Sequence, residues 1–224
     1  MGDVRRLIVF DLDGTLVDSR RDLASAANAL IGERGGAPLR EDAVGRMVGE
    51  GAAMLVRRAL TAAGLTVDSS SVSRFLELYD ERLLDTTVAY EGIPQALAVL
   101  ALEGTLAVLT NKPLAPSLRI LDGLGLSRGI ASTVGGDSPF PRKPDPSSLH
   151  HLMSAFGALP RTTVLVGDSW VDYETARGAG AAICLARYGF GYHGVDVERL
   201  VGDEALVDCA ADIPAAVRRL LAAR

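Results

Sequence analysis

Leu7-Ile8-Val9-Phe10-Asp11-Leu12-Asp13-Gly14-Thr15 is the stretch from which the rest of the chain can be read. Its first four residues form a short apolar run of branched and aromatic side chains. That is the pattern of a strand buried on both faces of a parallel sheet. Two carboxylates follow at once, two residues apart and closed by Gly-Thr. Open α/β sheets bind ligands at the carboxyl ends of their strands. Unpaired carboxylates are costly to desolvate, so two acids at such a position call for a cation. The ordinary alternative is an Asx-type turn that caps the next helix.

Working outward, residues 18–87 read as almost entirely helical. Asp18-Ser19 can cap a helix whose apolar positions Leu23, Ala26, Ala27, Leu30 and Ile31 keep helical spacing up to Gly35-Gly36. Ala43, Val44, Met47 and Val48 mark a second helix and residues 52–63 a third. Val72, Phe75, Leu76, Tyr79 and Leu83 mark a fourth. From residue 88 helices and strands alternate. Pro94 and Pro116 open helices, where a missing N–H costs nothing. Strands are predicted at 106–109, 164–166, 182–186 and near 206–207, and a last helix at 213–221. This alternation argues for an α/β fold with a doubly wound, mostly parallel, Rossmann-like sheet. The expected organisation is an α/β core made of residues 1–17 and 88–224, with a small helical domain, residues 18–87, inserted after the first strand.

Composition narrows the classes. With 224 residues there is room for one core and a small insert, and a net charge of −5 gives no basic field for nucleic acid or an anionic membrane. No run approaches the roughly 18 apolar residues of a membrane span. The apolar run after Arg5-Arg6 is too short for a signal peptide, and Met1-Gly2 is followed by Arg rather than Ser or Thr at position 6, against myristoylation. Cys184 and Cys209 form no CxxC pair and are expected to be buried reduced thiols. The expectation is a cytoplasmic protein, monomer or homodimer, with no nucleic-acid or membrane partner. Of 23 basic residues 21 are Arg; the two lysines are Lys112 and Lys143. Codon bias explains such a ratio, unless an ammonium is needed where a guanidinium does not fit.

Four polar clusters fall after strands or in the following loops: Asp11/Asp13, Thr110-Asn111, Arg142-Lys143-Pro144, and Gly167-Asp168-Ser169 with Asp172. In a doubly wound sheet these loops share one rim. Together they offer carboxylates for a hard cation, a hydroxyl and an amide for oxyanions, and one ammonium, the parts that phosphoryl transfer requires.

DLDGTLVDS at 11–19, RMVGEG at 46–51, TNKP at 110–113, RKPDP at 142–146, GDSWVD at 167–172 and YGFGYHG at 188–194 together resemble a haloacid-dehalogenase-superfamily phosphatase over nearly the whole chain. Within that superfamily the chain looks like the phosphoglycolate phosphatases. The resemblance implies Asp11 as nucleophile through an aspartyl-phosphate, and Asp13 as general acid and then base. It implies Thr110 and Asn111 as phosphate ligands, and Lys143 as the group that neutralises phosphate and steadies Asp11. Mg²⁺ would be held by Asp11, the Asp13 carbonyl and Asp168, with Asp172 fixing a metal-bound water or Lys143. Asp13 argues for turnover of a phosphate ester, because pumps and dehalogenases of the superfamily lack it. The helical insertion matches the superfamily's cap domain, a lid over the substrate. In it, Arg46, Gly49 and Glu50 form the candidate specificity loop, Arg46 toward a small anionic leaving group. A solvated surface arginine is an equal reading. Lys143 sits at the motif position, whereas Lys112 reads as a surface or chance lysine.

The expected activity is Mg²⁺-dependent hydrolysis of a small phosphorylated metabolite, with 2-phosphoglycolate first. Another small phosphate, or pyrophosphate, is the nearest alternative. A mutase is disfavoured because the insertion holds no Lys or His. A non-catalytic phosphate-binding protein would have no need of Asp13. Gly167-Asp168-Ser169 also resembles the nucleophile block of GDSL-type esterases, but no Asp stands three residues before any His. His150-His151 read as helix-surface residues.

Overall fold

The structure, a computed structural model, describes residues 5–224. The Met1-Gly2 reading lies outside the described residues. Eight strands follow in chain order: β1 (Leu7–Phe10), β2 (Val17–Asp18), β3 (Val88–Ala89), β4 (Thr105–Leu109), β5 (Ile130–Val134), β6 (Thr163–Gly167), β7 (Ala182–Ala186) and β8 (Ala205–Val207). Six of them form one sheet in the order β5-β4-β1-β6-β7-β8. Every neighbouring pair is parallel.

β1 lies in the middle of that sheet and all four of its side chains are fully buried. Successive strand residues point to opposite faces, so one run serves two cores. Ile8 and Phe10 pack in the cluster that holds Ile93, Leu97 and Leu100 of α5 (Ile93–Leu100) and Ile213, Val217 and Leu220 of α9 (Ile213–Ala222). Leu7 and Val9 pack with Leu149, Leu152 and Met153 of α7 (Ser147–Phe156) and Tyr173 and Ala176 of α8 (Trp170–Gly178). Each such side chain contributes about 1.5–3 kcal/mol on burial, which a polar residue at any position of β1 would forfeit.

The sheet also fixes where chemistry happens. After β1 the chain turns to one side, toward β4; after β6 it turns to the other, toward β7. Adjacent strands whose connections diverge leave a crevice beyond their carboxyl ends. Asp11 follows β1 and Asp168 follows β6.

Between β2 and β3 stand four helices: α1 (Arg20–Glu33), α2 (Glu41–Gly45), α3 (Ala52–Ala62) and α4 (Ser71–Asp80). Leu23, Ala27, Leu30 and Ile31 of α1 share a core with Leu55, Val56 and Leu60 of α3 and Phe75, Leu78 and Tyr79 of α4. β2 and β3 pair antiparallel, Val17 opposite Ala89 and Asp18 opposite Val88, so the chain enters and leaves this block side by side. The buried Asp22 carboxylate tightens that neck. It accepts from the Thr86 N–H at 3.0 Å, the Thr87 N–H at 2.8 Å and the Thr87 hydroxyl at 2.6 Å. No helix among the described residues is long and apolar enough to cross a membrane.

Several expectations change in detail. β5 was absent from the sequence reading because Ile-Ala-Ser-Thr-Val, half-buried at the sheet edge, carries no apolar run. Pro94 is the second residue of α5, and α6 (Leu114–Gly123) starts two residues before Pro116. Ser19 stands at the N-terminus of α1 but makes no side-chain cap, because its hydroxyl is directed to Asp13 instead. Cys184 is a buried free thiol, its pKa pushed up to about 12 by burial, but Cys209 is exposed because it lies in the loop between β8 and α9.

Candidate active site

Asp11 is the first residue past β1, and its N–H still donates to the Val166 carbonyl of β6 at 2.9 Å. Its carboxylate is buried, and Oδ1 accepts from the Leu12 N–H at 2.7 Å and pairs with the Lys143 ammonium at 2.9 Å. Burial pushes the Asp11 pKa up to about 6, against the pull of Lys143 and with a further push from Asp172.

Lys143 reaches Asp11 from the loop before α7 and is held on its other side by Asp172, at 2.6 Å. Its burial opposes the charge, but the two carboxylates outweigh it and hold the ammonium firmly protonated. Asp172 is fixed in turn by Ser169, whose hydroxyl and N–H donate to its Oδ2 at 2.6 and 3.1 Å. Ser169, rather than Asp168, is therefore the N-cap of α8, in a reciprocal capping box with Asp172. The Asp168 carboxylate is thereby left to the crevice.

Asp168 is buried and its pKa is raised well above the carboxylate range, by desolvation first and then by the charges of Asp172 and Asp11. One N–H, from Gly191 at 2.7 Å, binds its Oδ2. The carboxylate lies in a cradle with no room to spare. A Cβ on Gly14, whose φ is +87°, would stand 2.0 Å from Asp168 Oδ2, and one on Gly189 would stand 2.3 Å from the Asp168 Cβ. Carboxylate oxygens of Asp11, Asp168 and Asp172 lie within 4.8 Å of one another. Such a set of hard oxygens, with more negative charge than Lys143 neutralises, fits a hard divalent cation.

Thr110 and Asn111 follow β4 and are buried at the same rim. The Thr110 Oγ1 accepts from the Lys112 N–H at 3.2 Å. Asn111 donates from Nδ2 to the Gly49 carbonyl and to the Lys143 carbonyl, both at 2.9 Å, while its Oδ1 is buried without a partner. That amide ties the helical block to the lysine loop. Asp13 accepts from the Ser19 hydroxyl at 2.5 Å and pairs with Lys112 at 2.8 Å.

A cavity of about 50 Å³ joins these groups to the helical block. Asp11, Asp13, Thr110, Asn111, Lys112 and Asp168 line one side, and Gly49, Leu55, Phe75 and Tyr79 the other. The structure thus brings together Asp11, Asp13, Thr110, Asn111, Lys143, Asp168 and Asp172, with Gly49 at the rim. It does not bring in Arg46, which is exposed and paired with Asp42 at 3.3 Å, or Glu50, which is exposed and paired with Arg58.

Lys112 corrects the sequence reading: it is a buried residue of the site, not a surface or chance lysine. Both lysines of an otherwise arginine-only chain are therefore in the site, and their rarity was the signal that could have found Lys112. Tyr79, read only as an apolar helix position, also borders the cavity.

The model of the haloacid dehalogenase-like hydrolase family matches residues 5–180. The phosphoglycolate phosphatase of Rhodospirillum rubrum is 42% identical over 194 residues, covering 83% of this chain and 80% of that protein. The plasmid phosphoglycolate phosphatase of Cupriavidus necator is 38% identical over 93% of this chain and 91% of its own. A crystal structure from Haemophilus somnus, described as a predicted phosphoglycolate phosphatase, superposes with a TM-score of 0.85 at 30% identity, covering 95% of this chain and 98% of that one. The chain belongs to the haloacid dehalogenase-like hydrolase family.

Proposed function

We propose that the chain is a Mg²⁺-dependent phosphomonoesterase that works through an aspartyl-phosphate on Asp11, and that its substrate is 2-phosphoglycolate. The observation that carries the chemistry is the Lys143 ammonium held between Asp11 and Asp172 beside the nearly unpaired Asp168. The relatives named phosphoglycolate phosphatase support the substrate.

In this reading the Asp11 carboxylate attacks phosphorus. Its Oδ1 is fixed by Lys143 and the Leu12 N–H, so the side chain is aimed before substrate arrives. Lys143 also meets the charge of the transferred group, and Asp172 keeps it in place. Thr110 and Asn111 bind phosphate oxygens. Asp13, standing over the cavity on Ser19 and Lys112, gives a proton to the leaving oxygen and later takes one from the water that cleaves the phosphoenzyme. Mg²⁺ would be held by Asp11, Asp168 and the Asp13 carbonyl, and would supply charge neutralisation on the phosphoryl oxygens. The helical block 18–87 would act as a cap that excludes water, with its Leu55, Phe75 and Tyr79 facing the cavity.

The test is phosphate release from a panel of small monoesters and pyrophosphate with Mg²⁺, wild type against Asp11→Asn. The expected result is turnover of 2-phosphoglycolate above all others and none by the variant. Absence of Mg²⁺-dependent release from every ester would overturn the enzyme reading, and preference for another ester would overturn the substrate.

A further inference from the structure

Arg46 lies outside the cavity, so the anionic leaving group has lost its expected partner. Among the residues that line the cavity there is one cationic side chain, Lys112. The remaining charged lining residues, Asp11, Asp13 and Asp168, would repel an anion. On the helical side the walls are apolar, with Leu23, Val48, Leu55, Phe75 and Leu76. An uncompensated carboxylate entering such a space would be strongly disfavoured.

Lys112 is placed to meet it. The Lys112 side chain is 5% exposed, follows Thr110-Asn111 directly, and directs its ammonium to Asp13, with contacts at 3.0 and 2.8 Å. The ammonium also stands 4.5 Å from the centroid of the Tyr79 ring, which comes from α4 of the helical block. A lysine has three donors and no fixed fork, so it can hold Asp13 and a second oxyanion together. Tyr79 adds a second donor: it is 3% exposed, and its hydroxyl, beside the Lys112 ammonium, finds no acceptor for its own proton among the described residues. A buried O–H with no acceptor beside a buried ammonium is a pair of donors that an oxyanion would satisfy.

We propose that Lys112 and the Tyr79 hydroxyl form the subsite that binds the carboxylate of the leaving group, and so select carboxylate-bearing phosphate esters over neutral ones. This rests on the proposed activity toward 2-phosphoglycolate. One ligand group is thereby gripped from both sides of the cavity, by the core through Lys112 and by the helical block through Tyr79.

The test compares kcat/KM for 2-phosphoglycolate with that for ethyl phosphate, which is of similar length and lacks the carboxylate, in wild type, Lys112→Met, Lys112→Arg and Tyr79→Phe. Loss of a charged hydrogen bond is expected to lower the preference for 2-phosphoglycolate by about thirtyfold or more in Lys112→Met, chiefly through KM. Lys112→Arg restores part of that preference, and Tyr79→Phe lowers it by about three- to tenfold. A Lys112→Met enzyme that loses both esters by the same factor overturns the subsite, since Lys112 then acts only through Asp13. Should Lys112→Met not fold, an unchanged preference in both Lys112→Arg and Tyr79→Phe overturns it equally. Wild type that turns over ethyl phosphate but not 2-phosphoglycolate removes the substrate reading and the subsite with it. Wild type that selects 2-phosphoglycolate, beside uniform loss in the variants, removes the subsite alone.

Discussion

Gly14 and Asp168 are in van der Waals contact in a way that only glycine permits: a Cβ on Gly14 would stand 2.0 Å from Asp168 Oδ2. With φ at +87° the backbone conformation there also disfavours any side chain. Gly14→Ala must therefore displace the carboxylate offered to the cation. The expected outcome is a loss of Mg²⁺ affinity of about tenfold to a hundredfold, read by titrating activity with Mg²⁺. Unchanged Mg²⁺ dependence would show that Asp168 is not a ligand.

Asp172 touches Lys143 and Ser169, so its effect on turnover is exerted through Lys143. Removing one partner of a buried ion pair costs about 3–5 kcal/mol, which makes Asp172→Ala a stability variant. Asp172→Asn keeps the shape and an acceptor for Ser169. It is expected to lower kcat by about a hundredfold with a smaller change in urea midpoint. A kcat within about twofold of wild type would remove Asp172 from the catalytic arrangement.

Asp11 is pushed up to about 6 and Asp168 well above its ordinary value, each by burial first. The folded chain then holds more protons than the unfolded one from about pH 4 upward, so the metal-free protein loses stability as pH rises through that window. A cation must displace those protons, and its binding strengthens in the same direction. The rise in Tm on adding Mg²⁺ is therefore expected to be small at about pH 5 and several degrees larger at about pH 7.5. A pH-independent increment would place the cation elsewhere.

Asp22 joins α1 to the Thr86-Thr87 strand entry with bonds at 2.6 to 3.1 Å. Asp22→Ala leaves two N–H groups and two hydroxyls without their acceptor. It is expected to cost about 2–3 kcal/mol in urea unfolding, because the buried Thr87 N–H and hydroxyl lose their acceptor, while the exposed Thr86 can turn to water. Faster cleavage by protease near residues 84–88 should accompany it. An unchanged midpoint would mean that water replaces the carboxylate without loss.

Asp11, Asp13, Thr110-Asn111 and Asp168 were legible because each follows a strand whose apolar run marks it, and strand ends in a doubly wound sheet share a rim; Lys143 was legible through its Arg-Lys-Pro motif alone. β5 was not legible, since an edge strand needs no apolar run to be held by its neighbour. Arg46 was misleading for the opposite reason. Flanking glycines suggested an approach to ligand, yet a long charged side chain finds water and Asp42 at lower cost than a buried cavity.

What the sequence by itself determined is the order of parts: a buried strand ending in two acids, a helical insertion, and three later clusters of the right chemistry. Local pattern suffices for that, because burial on both faces and helical spacing are written in neighbouring residues. What only the tertiary structure decided is which distant residues meet. Lys112 and Asp13 are 99 positions apart, and Tyr79 reaches them from a different element. No local pattern encodes such a meeting. It arises because the sheet order puts β4 beside β1 and the Val17–Ala89 neck returns the helical block to that rim, where Tyr79 of α4 meets Lys112.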